Sequence, residues 1–214
     1  MADEKKEKGI KELRNLKKET IEKYIDEFDQ DSKISEEALK EIFEKYKNTS
    51  EESEILIKVI LLNKIYSAGL NDNLPLDETS TAKRNVDVYT MAKKIKGISD
   101  DLGKCFTDDT DPSVAVQKIL DEFEEYNRPY SFATKYCNWH NPEKYPIVDR
   151  YSKGVLYYYF DKKYPQADFN DYGNFCKIFN EFKAQCKETF GIDSTKELDK
   201  FLWKFGKEYG LDIE

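Results

Sequence analysis

Tyr130-Ser131-Phe132-Ala133 opens one short stretch, and Tyr145-Pro146-Ile147-Val148-Asp149-Arg150-Tyr151-Ser152-Lys153-Gly154-Val155-Leu156 follows it. The first stretch reads as a helix from Tyr130 or Ser131 to about His140, bounded by Arg128-Pro129 before it and Asn141-Pro142 after it. Tyr145-Pro146 reads as extended, because the ring of a proline pushes the preceding residue out of the α region. Asp149 then begins a helix that runs to about Phe160. A carboxylate at that position accepts hydrogen bonds from unpaired N–H groups, and the helix dipole favours its ionised form.

Outward from this point the chain reads as helical nearly throughout. Glu7 to Phe28 is dense in good helix formers, with Ile10, Leu13, Ile21, Tyr24, Ile25 and Phe28 at helical spacing. Ser35 opens a second helix with Glu36 and Glu37 in its first turn, and Thr49 or Ser50 caps a third. In that third helix Ile55-Leu56-Ile57-Lys58-Val59-Ile60-Leu61-Leu62 is apolar almost all round, which predicts a central buried helix closed by Gly69. Asn71 to Glu78 reads as a loop around Pro75, and Thr79 or Ser80 starts a helix to Gly97. Asp111-Pro112 is a cap followed by proline at the first helical position, and this helix ends before Asn127-Arg128-Pro129. Asp171 to Phe190 and Thr195 to Tyr209 supply the last two helices, separated by Gly191. No alternation of period two persists. The expected fold is a single all-α domain, about nine helices in all, with residues 1–54 as a charged helical extension packed on residues 55–214.

Of 214 residues, 39% are hydrophobic, 36% charged and 14% aromatic. The aromatic share is enough to build a core and argues against disorder. No run of 18 apolar residues occurs, so no membrane partner is expected, and the charged stretch Met1 to Lys8 does not read as a signal peptide. Cys105, Cys137, Cys176 and Cys186 lack CxxC spacing, which predicts free thiols and a cytoplasmic location. With one histidine in the chain no metal site is expected. The phosphate-cradling and nucleophile-elbow motifs are absent, so no cofactor is indicated. The net charge of −8 argues against nucleic acid, yet residues 55–99 carry +3 and residues 128–164 carry +4. DNA binding would require these two segments to form one basic face around Asp149.

The quoted stretch resembles the helix-hairpin-helix (HhH-GPD) superfamily of base-excision DNA glycosylases, with its oxoguanine/adenine-glycosylase-like fold. Ser131-x-Ala133, Pro146-Ile147-Val148-Asp149 and Lys153-Gly154-Val155-Leu156 stand in the family's order, with Asp149 18 residues after Ser131. The resemblance implies that Asp149 is the catalytic carboxylate, stabilising positive charge on the sugar or activating water. It implies double-stranded DNA as partner, with the target base flipped into an aromatic pocket for which Trp139 and Tyr151 are wall candidates. Lyase members of the family place a Schiff-base lysine where Ser131 stands, so Ser131 implies a monofunctional enzyme, with Lys135 one turn later as a substitute candidate. Leu62-Asn63-Lys64 resembles the family segment that wedges into DNA, which makes Asn63 and Lys64 contact candidates, and Lys153 is another. The hairpin Tyr126-Asn127-Arg128-Pro129-Tyr130 departs from the family's Leu-Pro-Gly-Val-Gly. Without glycine the backbone approaches phosphate less easily, and the Arg128 side chain is the replacement candidate.

Two other readings fit the same residues. One is a degenerate, non-catalytic interaction module on the same fold, favoured by the acidic charge and the missing glycines, with the acidic N-terminal helices as a protein-binding candidate. The other is an enzyme acting on a free nucleoside-like ligand, which needs the aromatic pocket and no basic face. Single residues also have plain structural roles: a helix cap for Asp149 and Ser131, a helix end for His140, core packing for Tyr157 to Phe160, and surface charge for Arg150 and Lys153.

Overall fold

The computed structural model describes residues 2–66, 68–70, 86–106 and 109–213. Among them the α-helices, in chain order, are α1 (Ala2–Arg14), α2 (Lys18–Lys45), α3 (Glu52–Tyr66), α4 (Val88–Gly97), α5 (Ser99–Cys105), α6 (Pro112–Asp121), α7 (Tyr130–His140), α8 (Arg150–Tyr159), α9 (Tyr172–Phe190) and α10 (Thr195–Tyr209). A 3-10 turn, Gln166–Asn170, precedes α9, and no strand forms among the described residues. The fold class is all-α. The expected loop at Asn71 to Glu78 and the helix start at Thr79 or Ser80 lie outside the described residues.

The chain divides into two compact units, Met1–Lys33 with Pro146–Glu214, and Ile34–Tyr145. Helix α2 begins in the first and ends in the second, and the 54/55 position falls inside α3. The helix expected over Glu7 to Phe28 is two helices. Helix α1 stops at Arg14, where the Asn15 Nδ2 folds back and donates to the Lys11 carbonyl at 2.9 Å. Helix α2 then runs straight through the expected start at Ser35, since no Gly or Pro interrupts it before Lys45.

In the first unit α10 buries Leu198, Phe201, Leu202 and Phe205, an i, i+3, i+4, i+7 stripe. Tyr24 of α2 sets its ring edge-on to Phe205, with centroids 5.2 Å apart, and Phe182 of α9 stacks on Phe201 at 6.3 Å. Helix α8 packs against α10 and against the segment after it. A Cβ on Gly154 would lie 2.3 Å from the Leu211 carbonyl oxygen, so only glycine permits this approach. One turn away the Ile213 N–H donates to the Arg150 carbonyl at 3.3 Å.

In the second unit α3 packs on α4 and α7, and α6 packs on α5 and α7. Phe123, Phe132, Tyr136, Cys137 and Tyr145 fill the interior with Val59 and Leu62 of α3. The apolar run of α3 is not buried all round. Ile57 and Ile60 are 42% and 36% exposed, while Lys58 is 1% exposed. Ile55, Val59 and Leu62 define the buried stripe, and Lys58, three residues after Ile55, falls on the same face. Seating the apolar stripe therefore carries the lysine inside. All four cysteines are free thiols and buried.

Candidate functional site

Asp149 is the N-cap of α8, and its Oδ1 accepts from the backbone N–H groups of Tyr151 at 2.8 Å and Ser152 at 2.9 Å. Ser152 completes a capping box by accepting from the Asp149 N–H through Oγ at 3.0 Å. Asp149 is half-buried, and its second carboxylate oxygen has no hydrogen-bond partner among the described residues. The extended residues before it are pinned. The Tyr172 hydroxyl donates to the Pro146 carbonyl at 3.0 Å, and the Ile147 N–H donates to both carboxylate oxygens of Asp199, at 3.1 and 3.2 Å. The Ser152 hydroxyl also donates to the Ile147 carbonyl at 3.0 Å. Asp149 thus offers one tied oxygen and one open one on a backbone held by α9 and α10. Sequence reading gave no signal for Asp199, because a buried aspartate inside a helix looks the same in sequence as an exposed one.

Tyr151 and Lys153 share the first turns of α8 with Asp149. Tyr151 is half-buried, with the Arg150 guanidinium 4.7 Å from its ring centroid and donating to its hydroxyl at 2.8 Å. Lys153 is not a surface charge: it is buried, and its ammonium donates to Asn170 Oδ1 at 3.2 Å.

The remaining predicted residues lie in the second unit. Helices α6 and α7 pack together on either side of the Tyr126 to Pro129 connection. Ser131 is not the cap of α7: that position is Pro129, and the Ser131 hydroxyl makes no hydrogen bond. Arg128 is exposed and 3.7 Å from Asp121. Asn63 is buried and both ends of its amide are used, Nδ2 donating to the Leu70 carbonyl and Oδ1 accepting from the Leu70 N–H, each at 3.0 Å. Lys64 is exposed. Lys135 is buried and donates to the Tyr66 carbonyl at 3.1 Å, and Trp139 packs edge-on to Tyr66 at 6.2 Å, so Tyr66 joins these two candidates. Part of the positive charge counted along the two basic segments is therefore inside: Lys58, Lys135 and Lys153 are all buried.

A second constellation was not visible in the sequence. The Lys58 ammonium lies 5.2 Å from the centroid of Phe43, and His140 meets the same ring edge-on at 5.2 Å. His140 stacks on Phe106 at 4.2 Å with the planes 7° apart, and packs at 5.0 Å against Tyr136. The Nε2 of His140 is buried with no hydrogen-bond partner, and Lys58 has no acceptor among the described residues. Burial pushes the Lys58 amine down to about 8, only partly offset by the Glu54 carboxylate, which itself accepts from the Thr49 hydroxyl. Burial, together with the charges of Lys58 and Lys47, holds the His140 imidazole well below its ordinary value. The cluster thus holds a neutral imidazole and an amine whose proton burial has loosened. Among the described residues no group of three or more His, Cys, Asp and Glu side chains is placed to hold a metal, and no helix is long and apolar enough to cross a membrane.

Residues 20–144, more than half of the chain, match the family HI_0787_N, described as an N-terminal domain. The chain belongs to the HI_0787_N family. A relative, an uncharacterized protein of Haemophilus influenzae (strain Rd), is 30% identical over 160 residues, covering 72% of this chain and 75% of its own length. No solved structure matches. The HI_0787_N stretch contains the whole Phe43–Lys58–His140 cluster and ends before Pro146, so Asp149 lies outside it.

Proposed function

We propose that this chain is a monofunctional DNA glycosylase-like protein that hydrolyses the N-glycosidic bond of a damaged or modified base, with Asp149 as its carboxylate and water as nucleophile. The observation that carries this reading is the setting of Asp149. One oxygen is fixed by the cap, the other is open, and the preceding backbone is tied at Pro146 and Ile147. A carboxylate held still in this way stabilises charge developing on a sugar without reorganising during the reaction. The free Ser131 hydroxyl, in the position of the family's lyase lysine, agrees with hydrolysis rather than strand cleavage.

Fluorescence anisotropy tests the reading with a duplex containing a cationic pyrrolidine abasic analogue, compared with the unmodified duplex. The analogue carries the charge of the transition state, so the target base need not be known. Analogue-selective, salt-sensitive binding that weakens in Asp149→Asn is the expected result. Asparagine caps a helix about as well as aspartate, so that variant removes the charge and keeps the fold. Equal binding to both duplexes, or none, would overturn the reading. It would favour the non-catalytic interaction module, which the internal hydrogen bonds of Asn63, Lys135 and Lys153 support.

A further inference from the structure

We infer that Lys58 and His140 form a carbonyl-capture site, in which the Lys58 amine makes a Schiff base with a small planar aldehyde and His140 Nε2 relays the proton. The site lies in the other unit from Asp149 and uses none of its residues, so it stands or falls separately from the glycosylase reading.

The geometry begins with unpaired atoms. A buried nitrogen without a partner costs folding free energy, roughly 1 to 3 kcal/mol for an ordinary polar group and more for a charged one. His140 Nε2 is such a nitrogen, and the buried Lys58 has no acceptor among the described residues; Lys58 Nζ and the His140 ring centroid each lie 5.2 Å from the Phe43 centroid. Glu54 is the acid whose charge acts on Lys58, and its carboxylate is engaged by the Thr49 hydroxyl, so it leaves the amine without an ion pair. The charged groups acting on His140 are Lys58 and Lys47, both positive, and both oppose its protonation. Tyr136 packs on the imidazole with a hydroxyl that burial keeps protonated. The amine is thus a nucleophile at mildly alkaline pH, in the desolvated setting that activates lysine toward carbonyls. In its Nδ1–H tautomer His140 has a lone pair on the buried Nε2. The stack on Phe106 fixes the ring, and Phe43 and Trp139 complete an aromatic surround of the kind that suits a planar aldehyde.

The chemistry balances without an oxidant or reductant. The Lys58 lone pair forms the N–C bond while the carbonyl π pair moves to oxygen. Nε2 takes a proton from the nitrogen and returns it to the oxygen. The nitrogen lone pair then closes the C=N bond as the C–O bond breaks, and the departing hydroxyl takes the second N–H proton, relayed through Nε2, and leaves as water. Amine plus aldehyde gives imine plus water.

The test treats the native chain with pyridoxal, a planar aldehyde, and sodium cyanoborohydride at pH 8, and follows adducts by peptide mass spectrometry. Lys58 is expected to be trapped about tenfold faster than the exposed Lys40 and Lys93, because only it is desolvated. The variant His140→Phe is expected to slow trapping at Lys58 about a hundredfold, the low end for a lost proton relay, while Lys40 and Lys93 react as before. An unmodified Lys58 beside modified Lys40 and Lys93 would overturn the proposal. So would a Lys58 rate that His140→Phe leaves unchanged. The wild-type result decides even if the variant fails to fold.

Discussion

The two settings of ionisable side chains in this molecule are built on opposite terms. Around Asp149 nearly every polar group has a partner: the cap, the Ser152 hydroxyl, the Tyr172 hydroxyl and the Asp199 carboxylate close a network that leaves one carboxylate oxygen open. Around Lys58 and His140 the neighbours are rings, and among the described residues His140 Nε2 has no hydrogen-bond partner and Lys58 no acceptor. The first setting keeps a charge and gives it a fixed direction. The second suppresses charge and leaves bases. Hydrogen-bonding capacity is satisfied where it positions a group and withheld where it would blunt one.

Substitutions sharpen or break this contrast. The largest expected effect is at Lys58. Its amine sits near 8 in the folded chain against about 10.5 when unfolded. A depressed base costs stability below its folded value and ceases to as pH rises from 8 to 10.5, so Lys58→Met is expected to gain about 2 to 3 kcal/mol at pH 7 and nothing above pH 10.5. Urea denaturation across that range measures it, and a destabilised Lys58→Met would mean that the amine has a partner after all. Next, Asp199→Ala is expected to lose about 2 kcal/mol by stranding the Ile147 N–H. Hydrogen exchange at Ile147 should accelerate with it, and unchanged exchange would break the claim that α10 holds this segment. Third, His140 takes up its proton on unfolding before it does so folded. Its contribution is intact above about pH 6.5 and is lost as pH falls below that, about 1 kcal/mol at pH 5.5. In His140→Phe this acid sensitivity should shrink by that amount. The smallest effect is at Ser131, where Ser131→Ala should stay within about 0.5 kcal/mol, against about 1 kcal/mol for Asp149→Ala. Equal losses would mean that Ser131 is a cap like Asp149.

Local chemistry explains what could be read in advance. Asp111-Pro112, Asp149 and Gly191 carry their own instructions: a carboxylate or a proline starts a helix, and a residue with φ of 74° ends one. The all-α class and the start of α8 follow from such signals. Helix α5 carried none, since it begins after Ile98 with no side-chain cap. The joining of residues 18–45 into one helix was decided by packing rather than by the serine at position 35. At the sites, the cap at Asp149 was legible because its partners are two and three residues away. Asp199 and Tyr172 act on Ile147 and Pro146 from 52 and 26 residues distant, and nothing local marks them. Lys58 went unmarked for a related reason. The run Ile55 to Leu62 reads as apolar almost all round, but the stripe set by Ile55, Val59 and Leu62 turned Ile57 and Ile60 outward and carried the lysine in. Asn63, Lys135 and Lys153 likewise read as contacts because their types suit DNA, and the fold spends their polar atoms internally.

The close fit of Leu211 over Gly154 has a consequence for the order in which the molecule is made. Residues 34–145 form one uninterrupted unit, whereas the other unit is assembled from residues 1–33 and 146–214. On the ribosome the uninterrupted unit is complete first. The early helices must wait while the 69 residues from Pro146 to Glu214 are synthesised, roughly 3 to 14 s at ordinary elongation rates. Leu211 emerges 62 residues after Asp149, so the backbone carrying Asp149 is translated well before the segment that packs on α8 arrives. The final state of the proposed catalytic carboxylate thus waits for Leu211, and a nascent chain stalled short of it would present Asp149 on a helix not yet fixed in place.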